Sequence, residues 1–414
     1  MQKIVSDQVT IPFIVGDGIG VEIWNGTQAV MDHAIKLIYQ GKREIHWKEI
    51  YAGGKSYQQT GEYLPQETIE TIRQCQVGIK GPLTTPVGGG ISSLNVALRK
   101  ALDLYSCIRP IKWFRGLPSP LMHPEDVDVI IFRENTEDLY AGIEFPVGSN
   151  ENSTLKTILK EKFPNEYAKL RYAQEVGFDI KPISKQASQR IMRAAIQWAI
   201  SNERKKITVV HKGNIMKYTE GAFRTWSFEV AEQEFKDNCY SKRVWINTLI
   251  EEGKDKADRD KARAIQDGKI FVDDLIADNA FAKAITIPGD FDMVVTPNLN
   301  GDYLSDAFAA LAGGIGISPG ANINHESGIG LFEANHGSAE DIAGMDKANP
   351  SSLILSGAML FDFIGWKEAA SLIRTGVIKT IQSGKVPSDL HVQLKDSLEV
   401  GTAHFCTLII ENMK

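Results

Sequence analysis

The alternation of short apolar runs with helical patterns is the feature that most constrains the fold of this chain. Four apolar runs end in glycine or a polar residue and have the length of buried strands: residues 11–16, 127–132, 207–210 and 293–295. Residues 21–39 and 188–200 repeat apolar positions every three or four residues, which is typical of amphipathic helices. This alternation predicts an α/β fold whose sheet is covered by helices on both faces.

Composition and charge exclude several classes of partner. A net charge of −6, with acids and bases mixed along the chain, provides no basic surface for nucleic acid and no cationic stripe for a membrane surface. The sequence begins without the pattern of a signal or transit peptide, and no stretch is apolar for the roughly 18 residues of a membrane span. The four cysteines lack the spacing of a zinc or redox motif. We therefore expect reduced thiols and a cytoplasmic location.

Two acidic residues follow the apolar run 291–295 at a spacing of four. If a helix begins near Gly301, Asp302 and Asp306 lie on one face of it, where two oxygen ligands can share a divalent cation. The site would lie beyond the carboxyl end of a strand, where open parallel sheets bind their ligands. The alternative is that these acids only complement the dipole of the helix.

The glycine-rich turn at residues 16–20 follows a strand and precedes a helix, but its glycine spacing differs from a dinucleotide-binding fingerprint. It also lacks a convincing acidic residue about 20 positions later to bind ribose. We interpret it as a plain strand-to-helix turn. A nucleotide cofactor would therefore bind elsewhere.

A second loop, residues 81–90, combines glycines, prolines and two threonines, which allow a ligand to approach the backbone. Hydrogen-bonding and guanidinium side chains follow it: Ser93, Asn95, Arg99, Arg109 and Arg133. Guanidinium groups bind carboxylates through paired hydrogen bonds, so this set suits a small polycarboxylate. A single arginine is more often an exposed ion-paired group, so the interpretation depends on their convergence.

Lys212 follows the apolar run 207–210, and Tyr140 follows the strand that Arg133 ends. A lysine in a desolvated cleft beside a metal ion can lose its proton near neutral pH and accept a hydroxyl proton. A tyrosine hydroxyl can return a proton to carbon. Either residue alone is more often only a polar tip that reaches water, so the interpretation depends on the whole set of residues.

Together these residues resemble the β-decarboxylating hydroxyacid dehydrogenases, and among them the homodimeric bacterial isocitrate dehydrogenases of the NAD-dependent type. The resemblance covers nearly the whole chain, and its most specific blocks are residues 80–103, 131–145, 210–223, 297–306 and 331–350. It implies the isocitrate/isopropylmalate dehydrogenase-like α/β fold, with a large mixed-sheet domain, a small α/β domain and a dimer clasp, rather than a Rossmann fold. We expect three parts: residues 1–104 and 313–414 in the large domain, 105–140 and 184–312 in the small domain, and 141–183 in the clasp-like insertion.

The resemblance also implies a reaction and a substrate site. The reaction would be the oxidative decarboxylation of isocitrate to 2-oxoglutarate and carbon dioxide, a step of the tricarboxylic acid cycle. Ser93 and Asn95 would recognise the γ-carboxylate of isocitrate. Arg99, Arg109 and Arg133 would bind its other carboxylates.

The catalytic groups and the metal site follow from the same resemblance. Tyr140 would be the catalytic acid and Lys212 the catalytic base. Asp302 and Asp306 would bind Mg²⁺ or Mn²⁺ together with Asp278, which the family contributes from the neighbouring subunit. The resemblance therefore implies a homodimer with shared active sites.

Residues 332–344 resemble the adenosine-binding loop of the family. The implied cofactor contacts are Thr84, His336, Gly337, Asp341, Ile342 and Asn349. NADP-dependent members have a lysine and a tyrosine for the 2′-phosphate where this chain has Asp341 and Ile342. At about 4 Å, each charge pair between Asp341 and a phosphate costs about 1 kcal/mol in water and about 4 kcal/mol near a protein surface. Residues 388–399 also lack the arginine of NADP-dependent relatives, so NAD is the predicted cofactor.

Two alternative functions remain at this stage. A sister dehydrogenase acting on isopropylmalate, homoisocitrate or tartrate would share the metal ligands and arginines, but would not be expected to have Ser93 and Asn95 placed for a γ-carboxylate. A non-catalytic regulatory subunit or binding protein on the same fold should have lost some catalytic groups. All the groups that the resemblance assigns are present in this chain, which favours an enzyme.

Overall fold

The computed structural model describes residues 6–84 and 93–414. The part of the 81–90 loop from residue 85 onward lies outside the described residues. Within the described ranges the strands are β1 Gln8–Ile14, β2 Glu44–Glu49, β3 Val77–Lys80, β4 Ser106–Lys112, β5 Asp128–Glu134, β6 Glu144–Phe145, β7 Phe178–Asp179, β8 Lys206–His211, β9 Cys239–Ser241, β10 Ile270–Ile276, β11 Met293–Thr296, β12 Pro319–Asn324, β13 Ile329–Ala334, β14 Lys385–Val386 and β15 Leu398–Glu399.

Helices connect and cover these strands. They are α1 Gly20–Tyr39, α2 Gly54–Thr60, α3 Gln66–Cys75, α4 Leu94–Ala101, α5 Asn150–Lys162, α6 Pro164–Tyr167, α7 Lys185–Ser201, α8 Glu220–Glu229, α9 Lys242–Glu252, α10 Lys254–Gln266, α11 Ala277–Thr286, α12 Asn298–Leu311, α13 Ser351–Phe363, α14 Lys367–Gln382, α15 Ser388–His391 and α16 Thr402–Glu411. Short helical turns occur at Pro124–Asp126, Asp138–Ala141, Val230–Glu234, Pro288–Asp290, Ile315–Ile317 and Glu340–Ile342.

A single large sheet runs through the molecule. Among the described residues it has 11 strands in the order β2-β1-β3-β13-β12-β4-β5-β11-β8-β10-β9. Most neighbours are parallel, but β12 pairs antiparallel with both β13 and β4, and β4 pairs antiparallel with β5. The predicted α/β fold with a mixed sheet is confirmed.

The strand order separates the chain ends from the chain centre. Strands β2, β1, β3, β13 and β12 come from residues before 105 or after 312, whereas the six strands from β4 to β9 in the sheet order come from between them. The largest core cluster extends across both groups, with Ile79 and Phe332 from one and Phe132 and Val209 from the other. The division into domains and clasp stays a prediction.

The strand register gathers charged residues on one face of the sheet. Glu333 pairs with Lys80 between β13 and β3, and Cys107 pairs with Arg133 between β4 and β5. Directly paired residues share a face, as do residues two apart along a strand, so Arg109 lies on the face of Arg133. Pairing thus brings together residues that lie far apart in the sequence.

Two segments rich in polar and charged residues, 149–177 and 251–267, contain helices on the surface. Ser149 caps α5 by accepting a hydrogen bond from the Asn152 amide at 3.1 Å. In the highly charged α10, Lys256 and Asp260 form an ion pair one turn apart. Charge pairing and capping therefore allow helices where the sequence carries little apolar pattern.

Across residues 6–84 and 93–414, no helix has the length and apolar character needed to cross a membrane. The cytoplasmic location stays a prediction.

Candidate active site

The α12 helix presents the two predicted acidic ligands. It begins at Asn298, three residues before the predicted start at Gly301, directly after β11 and Pro297. Asp302 and Asp306 therefore lie in its second and third turns, one turn apart, and the Asn298 side chain accepts a hydrogen bond from Arg133 Nε at 2.8 Å. Strand β5 and α12 thus hold an arginine and two carboxylates in one place.

Buried arginines surround these carboxylates. Arg133 forms an ion pair with Asp302 and is only 1 % exposed. Arg109, 5 % exposed, donates to Asp306 Oδ1 at 2.9 Å and to Ser305 Oγ at 2.6 Å, and its Nη2 lies 3.8 Å from Asp302 Oδ1. The structure therefore brings together four of the predicted residues.

The local field separates the two carboxylates chemically. Burial would raise the pKa of Asp302, but the charge of Arg133, the hydrogen bond from Tyr140 and the charges of the other arginines together lower it. The pKa of Asp306 is raised by burial and by the charge of Asp302, which the neighbouring Arg109 only partly offsets. Both side chains are partly exposed, 30 % and 45 %, so their outer oxygens can still reach a ligand.

Tyr140 completes this cluster. Its hydroxyl donates a hydrogen bond to Asp302 Oδ2, and the Arg133 guanidinium lies 4.9 Å from the centre of its ring. Burial, followed by the bond to Asp302, raises the pKa of Tyr140 to about 12. The hydroxyl is therefore protonated at neutral pH and can donate a proton.

Arg99 joins a second buried cluster that the sequence reasoning missed. Its guanidinium forms an ion pair with Glu333, which also pairs with Lys80 Nζ at 2.7 Å. Asn322 donates to Glu333 at 2.7 Å, and Asn135 accepts from Arg99 at 3.4 Å. Burial would raise the pKa of Glu333, but Arg99 and Lys80 hold it well below its usual range.

A sequence signal for this cluster existed. Lys80 and Glu333 are charged residues within or at the end of apolar strands, and both are almost fully buried. Buried charges are costly unless they are paired, so two opposite charges in buried strands predict each other as partners. The large sequence separation between them concealed the pairing.

The predicted γ-carboxylate contacts lie at the start of α4. Ser93 precedes the helix and Asn95 lies in its first turn, on the helix that also carries Arg99. Within the described residues, three buried polar atoms of this region have no hydrogen-bond partner: Asn95 Oδ1, Arg99 Nε and Arg109 Nε. Such unpartnered polar atoms are costly, and the two guanidinium donors suit a bound anion.

Lys212 and Asp278 form a separate pair. Lys212 Nζ lies 2.6 Å from Asp278 Oδ1, and both side chains are partly or largely exposed. Within the described residues, no group of three or more His, Cys, Asp or Glu side chains could hold a metal ion. Asp278 therefore does not join Asp302 and Asp306 within one chain, which is compatible with its predicted role toward a neighbouring subunit.

The turn that carries Lys212 is closely held. Its amide donates to Glu220, and the next amide, Gly213, donates to His211 Nδ1 at 2.9 Å. An added Cβ at Gly213 would lie 2.6 Å from the Cα of Gly221, so these two backbones pack at a distance that only glycine allows. The position of Lys212 is therefore set by its surroundings.

The predicted cofactor loop packs against the glycine-rich turn at residues 16–20. Thr84 Oγ1 donates to Glu340 Oε1 at 2.7 Å and lies 2.8 Å from Ser338 Oγ, and the Thr84 amide donates to Asp17 Oδ2 at 2.9 Å. The Ile19 amide donates to the Ser338 carbonyl at 2.9 Å. The turn at residues 16–20 thus supports this loop, in keeping with its interpretation as a plain turn.

The remaining predicted cofactor contacts lie in or just after the segment that follows β13. His336 Nε2 is buried without a hydrogen-bond partner in the described part of the chain, and burial lowers the pKa of His336. Gly337 follows it and is exposed. Asn349 donates to the Asp389 carboxylate at 3.1 Å, which ties the loop to α15. The unpartnered nitrogen of His336 suits a polar group of a nucleotide.

Comparison with known proteins identifies relatives over nearly the full chain. The family model described as "Isocitrate/isopropylmalate dehydrogenase" matches residues 10–409. The chain is 48 % identical to "Isocitrate dehydrogenase [NADP]" of Staphylococcus epidermidis over 410 residues, which cover 99 % of this chain and 97 % of that relative. It is 49 % identical to the Streptococcus salivarius protein of the same name over 386 residues, 93 % of this chain and 92 % of that relative.

Solved structures agree with the sequence relatives. The crystal structure of isocitrate dehydrogenase from Methylococcus capsulatus matches with a TM-score of 0.77 and 35 % identity, covering 98 % of this chain and 99 % of that one. The TT0538 protein from Thermus thermophilus matches with a TM-score of 0.75 and 32 % identity, covering 98 % of this chain and 68 % of that one.

These relatives overturn the predicted NAD dependence. The Staphylococcus and Streptococcus proteins are named as NADP enzymes, so assignment to the NAD-dependent type, with NAD as cofactor, was wrong. The physical reason lies in the exposure of the loop. Asp341 is exposed, so its repulsion of a phosphate falls toward the roughly 1 kcal/mol expected in water. Ile342 packs against the core, so its identity serves packing.

The raised pKa of Tyr140 gives a direct test of its surroundings. Ultraviolet absorbance of the tyrosinate form is titrated for the wild type and for Tyr140→Phe. The two curves should coincide up to about pH 11, because the hydroxyl bonded to buried Asp302 stays protonated well above the ordinary tyrosine pKa of about 10. A difference that develops between about pH 9 and 10.5 would show that Tyr140 is not held in this environment.

Proposed function

The chain belongs to the isocitrate/isopropylmalate dehydrogenase family, and on that premise we propose that it catalyses the oxidative decarboxylation of isocitrate to 2-oxoglutarate and carbon dioxide with NADP. The observation that carries the proposal is the convergence of buried Arg99, Arg109 and Arg133 beside Asp302 and Asp306. Such an arrangement suits a substrate with several carboxylates held against a divalent cation. The match over residues 10–409 supports the same reaction class.

The substrate carboxylates would take the free guanidinium donors. Arg99 and Arg109 each keep a buried Nε without a partner in the described part of the chain, while their other nitrogens already contact acids. Ser93 and Asn95 at the start of α4 would contact the γ-carboxylate. That contact would distinguish isocitrate from the substrates of sister enzymes. A site with polar side chains placed to bind a charged γ-group binds a smaller or apolar γ-group poorly.

The carboxylates of Asp302 and Asp306 fit Mg²⁺ or Mn²⁺, which prefer oxygen ligands and would use their partly exposed outer oxygens. A bound cation would stabilise negative charge on the oxygen atoms of the substrate. Asp278 would complete the ligand set from the partner subunit. Arg109 and Arg133 would keep these acids oriented before the cation binds.

Two proton transfers fall to residues of this chain. Lys212 would accept the proton of the C2 hydroxyl as a hydride leaves C2. Loss of carbon dioxide would leave the electron pair of the broken bond on C3, and Tyr140 would then donate a proton to that carbon. Because the pKa of Tyr140 is raised to about 12, the proton is present on its hydroxyl at neutral pH. NADP would accept the hydride from C2.

The pairing of Lys212 with Asp278 supports a shared site. The two side chains lie 2.6 Å apart, so a site that receives Asp278 from a partner subunit also receives Lys212. Tyr140 bonds to Asp302 and would belong to the site of its own subunit. The proposed homodimer therefore contains two sites, each with a proton donor from one chain and a proton acceptor from the other.

The cofactor assignment follows the named relatives. The adenosine part of the dinucleotide fits the loop after β13, where His336 offers an unpartnered buried nitrogen. Asp341 and Ile342 supply no positive charge, so the 2′-phosphate would take its donors from other groups. Exposed lysines occur nearby in sequence on both bordering segments, Lys347 and Lys395.

Initial-rate kinetics test the proposed function. The purified protein with Mg²⁺ should oxidise isocitrate with NADP, and kcat/KM for isopropylmalate and homoisocitrate should be lower by at least about 100-fold, because isopropylmalate lacks the third carboxylate and homoisocitrate carries it one methylene further out. The same assay with NAD should give a lower kcat/KM than with NADP. A preference for NAD would overturn the cofactor assignment, and turnover of isopropylmalate alone would overturn the substrate.

Mixing two inactive variants tests the shared site. Tyr140→Phe and Lys212→Met should each abolish most turnover when prepared alone, while isocitrate binding measured by calorimetry with Mg²⁺ remains. After mixed subunits re-form dimers, half of the dimers are heterodimers with one intact site, so activity should return to about a quarter of the wild type. Each variant treated alone is the control. Absence of any recovery in the mixture would place both residues in the same chain's site.

The role of Asp341 can be measured by reversing its charge. Asp341→Lys should lower the KM for NADP about 30-fold and leave the KM for NAD nearly unchanged, because two charge changes of about 1 kcal/mol each act on the 2′-phosphate in water and about 1.4 kcal/mol corresponds to tenfold. Asp255→Lys makes the same change on exposed α10 and should alter neither value. An unchanged KM for NADP in Asp341→Lys would place the phosphate away from this residue.

A further inference from the structure

Three charged side chains that are largely removed from water form a network next to the candidate site. Lys181 Nζ lies 2.9 Å from Asp138 Oδ1 and also forms an ion pair with Glu220 Oε1. The side chains of Asp138, Lys181 and Glu220 are 1 %, 13 % and 0 % exposed. Burial would lower the pKa of Lys181, but its bonds to Glu220 and Asp138 outweigh it and the pKa is raised. Lys181 is therefore a cation that joins two carboxylates.

The remaining carboxylate oxygens contact two segments of the candidate site. Glu220 accepts a hydrogen bond from the Lys212 amide and another from Asn300 Nδ2 at 2.8 Å. Asp138 accepts from the Leu299 amide at 2.9 Å. Leu299 and Asn300 lie in the first turn of α12, just before Asp302. The outer bonds therefore connect the Lys212 turn to the helix that carries the acidic ligands.

At the other end of the network, Asp138 holds the turn that carries Tyr140. Asp138 starts that turn with a positive φ of 71°, a conformation that non-glycine residues rarely adopt. Its side chain accepts from the Leu139 amide at 2.8 Å, and its own amide donates to the Pro182 carbonyl at 3.0 Å, next to Lys181. Such a strained residue persists only where its surroundings determine it.

These charges are expensive for a purely structural role. Two carboxylates and one ammonium are taken out of water, and well-packed apolar side chains would often stabilise a fold equally well. What the charges add is direction, because each carboxylate binds Lys181 on one side and a site segment on the other. The benefit of such a network is a fixed geometry among the segments it connects.

We propose that Asp138, Lys181 and Glu220 are positioning residues that hold the Tyr140 turn, the Lys212 turn and the first turn of α12 in one fixed arrangement. The proposal rests on the proposed function in one respect, the roles of Tyr140 and Lys212 in proton transfer. In the proposed homodimer these two residues serve different sites, so the network connects both sites through the interior of each subunit.

Glu220→Gln is the sharpest test, because the amide keeps the shape of the side chain and removes its charge. We expect kcat to fall about 10- to 100-fold, as for a small displacement of reacting groups, while KM for isocitrate changes less than about threefold. KM should change little because the substitution does not touch the arginines proposed to bind the substrate. Glu234→Gln, which breaks an exposed ion pair with Arg193 beyond the end of α8, is the matched control and should leave both constants unchanged.

Lys181 provides a rescue experiment. Lys181→Met leaves two buried carboxylates without a cation and should lower both kcat and the melting temperature. Lys181→Arg keeps a donor for both carboxylates and should restore kcat to within about fivefold of the wild type. If Lys181→Arg and Lys181→Met have the same kcat, or if kcat and KM change together only as the melting temperature falls, the network is structural and the proposal is wrong.

Amide hydrogen exchange decides the proposal without any turnover. In Glu220→Gln, exchange should accelerate at Lys212 and in the first turn of α12, while α4 and its Arg99 keep their protection. Unchanged exchange at Lys212 would overturn the positioning role. If the wild type does not oxidise isocitrate, the proposed function fails on its own, and the exchange result still shows whether these segments are held by the three charges.

Discussion

Buried positive charge is the constraint on which the rest of the candidate site depends. Lys80, Arg99, Arg109 and Arg133 are all nearly inaccessible to water, and they face three carboxylates, Glu333, Asp302 and Asp306. An isolated buried cation costs several kcal/mol, so each of these must have an acidic partner in the free protein. The surplus of cations, with guanidinium nitrogens left unpartnered among the described residues, favours an anionic ligand. The carboxylates hold the arginines in place and also offer oxygen atoms to a metal ion.

The mixed sheet explains how these charges meet. Asn322 of β12 pairs with Cys107 of β4, two residues from Arg109, and with Leu331 of β13, two residues from Glu333. The antiparallel β12 therefore connects the strands that carry Lys80 and Glu333 to the strands that carry Arg109 and Arg133, on one face of the sheet. Asn322 itself donates a hydrogen bond to Glu333, so polar contacts continue across β12 between these two groups of strands. A sheet of parallel strands alone would require a different route between these two groups of strands.

Two arrangements of charge divide the proposed chemistry. Tyr140, the proposed proton donor, bonds to Asp302, whereas Lys212, the proposed proton acceptor, pairs with Asp278 in a separate cluster. Buried Glu220 and Asp138, joined by Lys181, nevertheless hold both clusters to the start of α12. This organisation fits an enzyme in which each subunit would complete the site of its partner.

The sequence by itself determined the α/β class, the position of polar residues at strand ends and the family resemblance. These follow from local periodicity and from motifs that are contiguous in the chain, such as the two acids of α12 one helical turn apart. Only the tertiary structure decided the partners of Arg99, which finds Glu333 across 234 positions, and the Asp138–Lys181–Glu220 network. The packing of helices, turns and loops from distant parts of the chain sets these contacts, and no local sequence pattern encodes it. The cofactor inference failed for a related reason, because the effect of Asp341 depends on its exposure to solvent, which the residue type does not reveal.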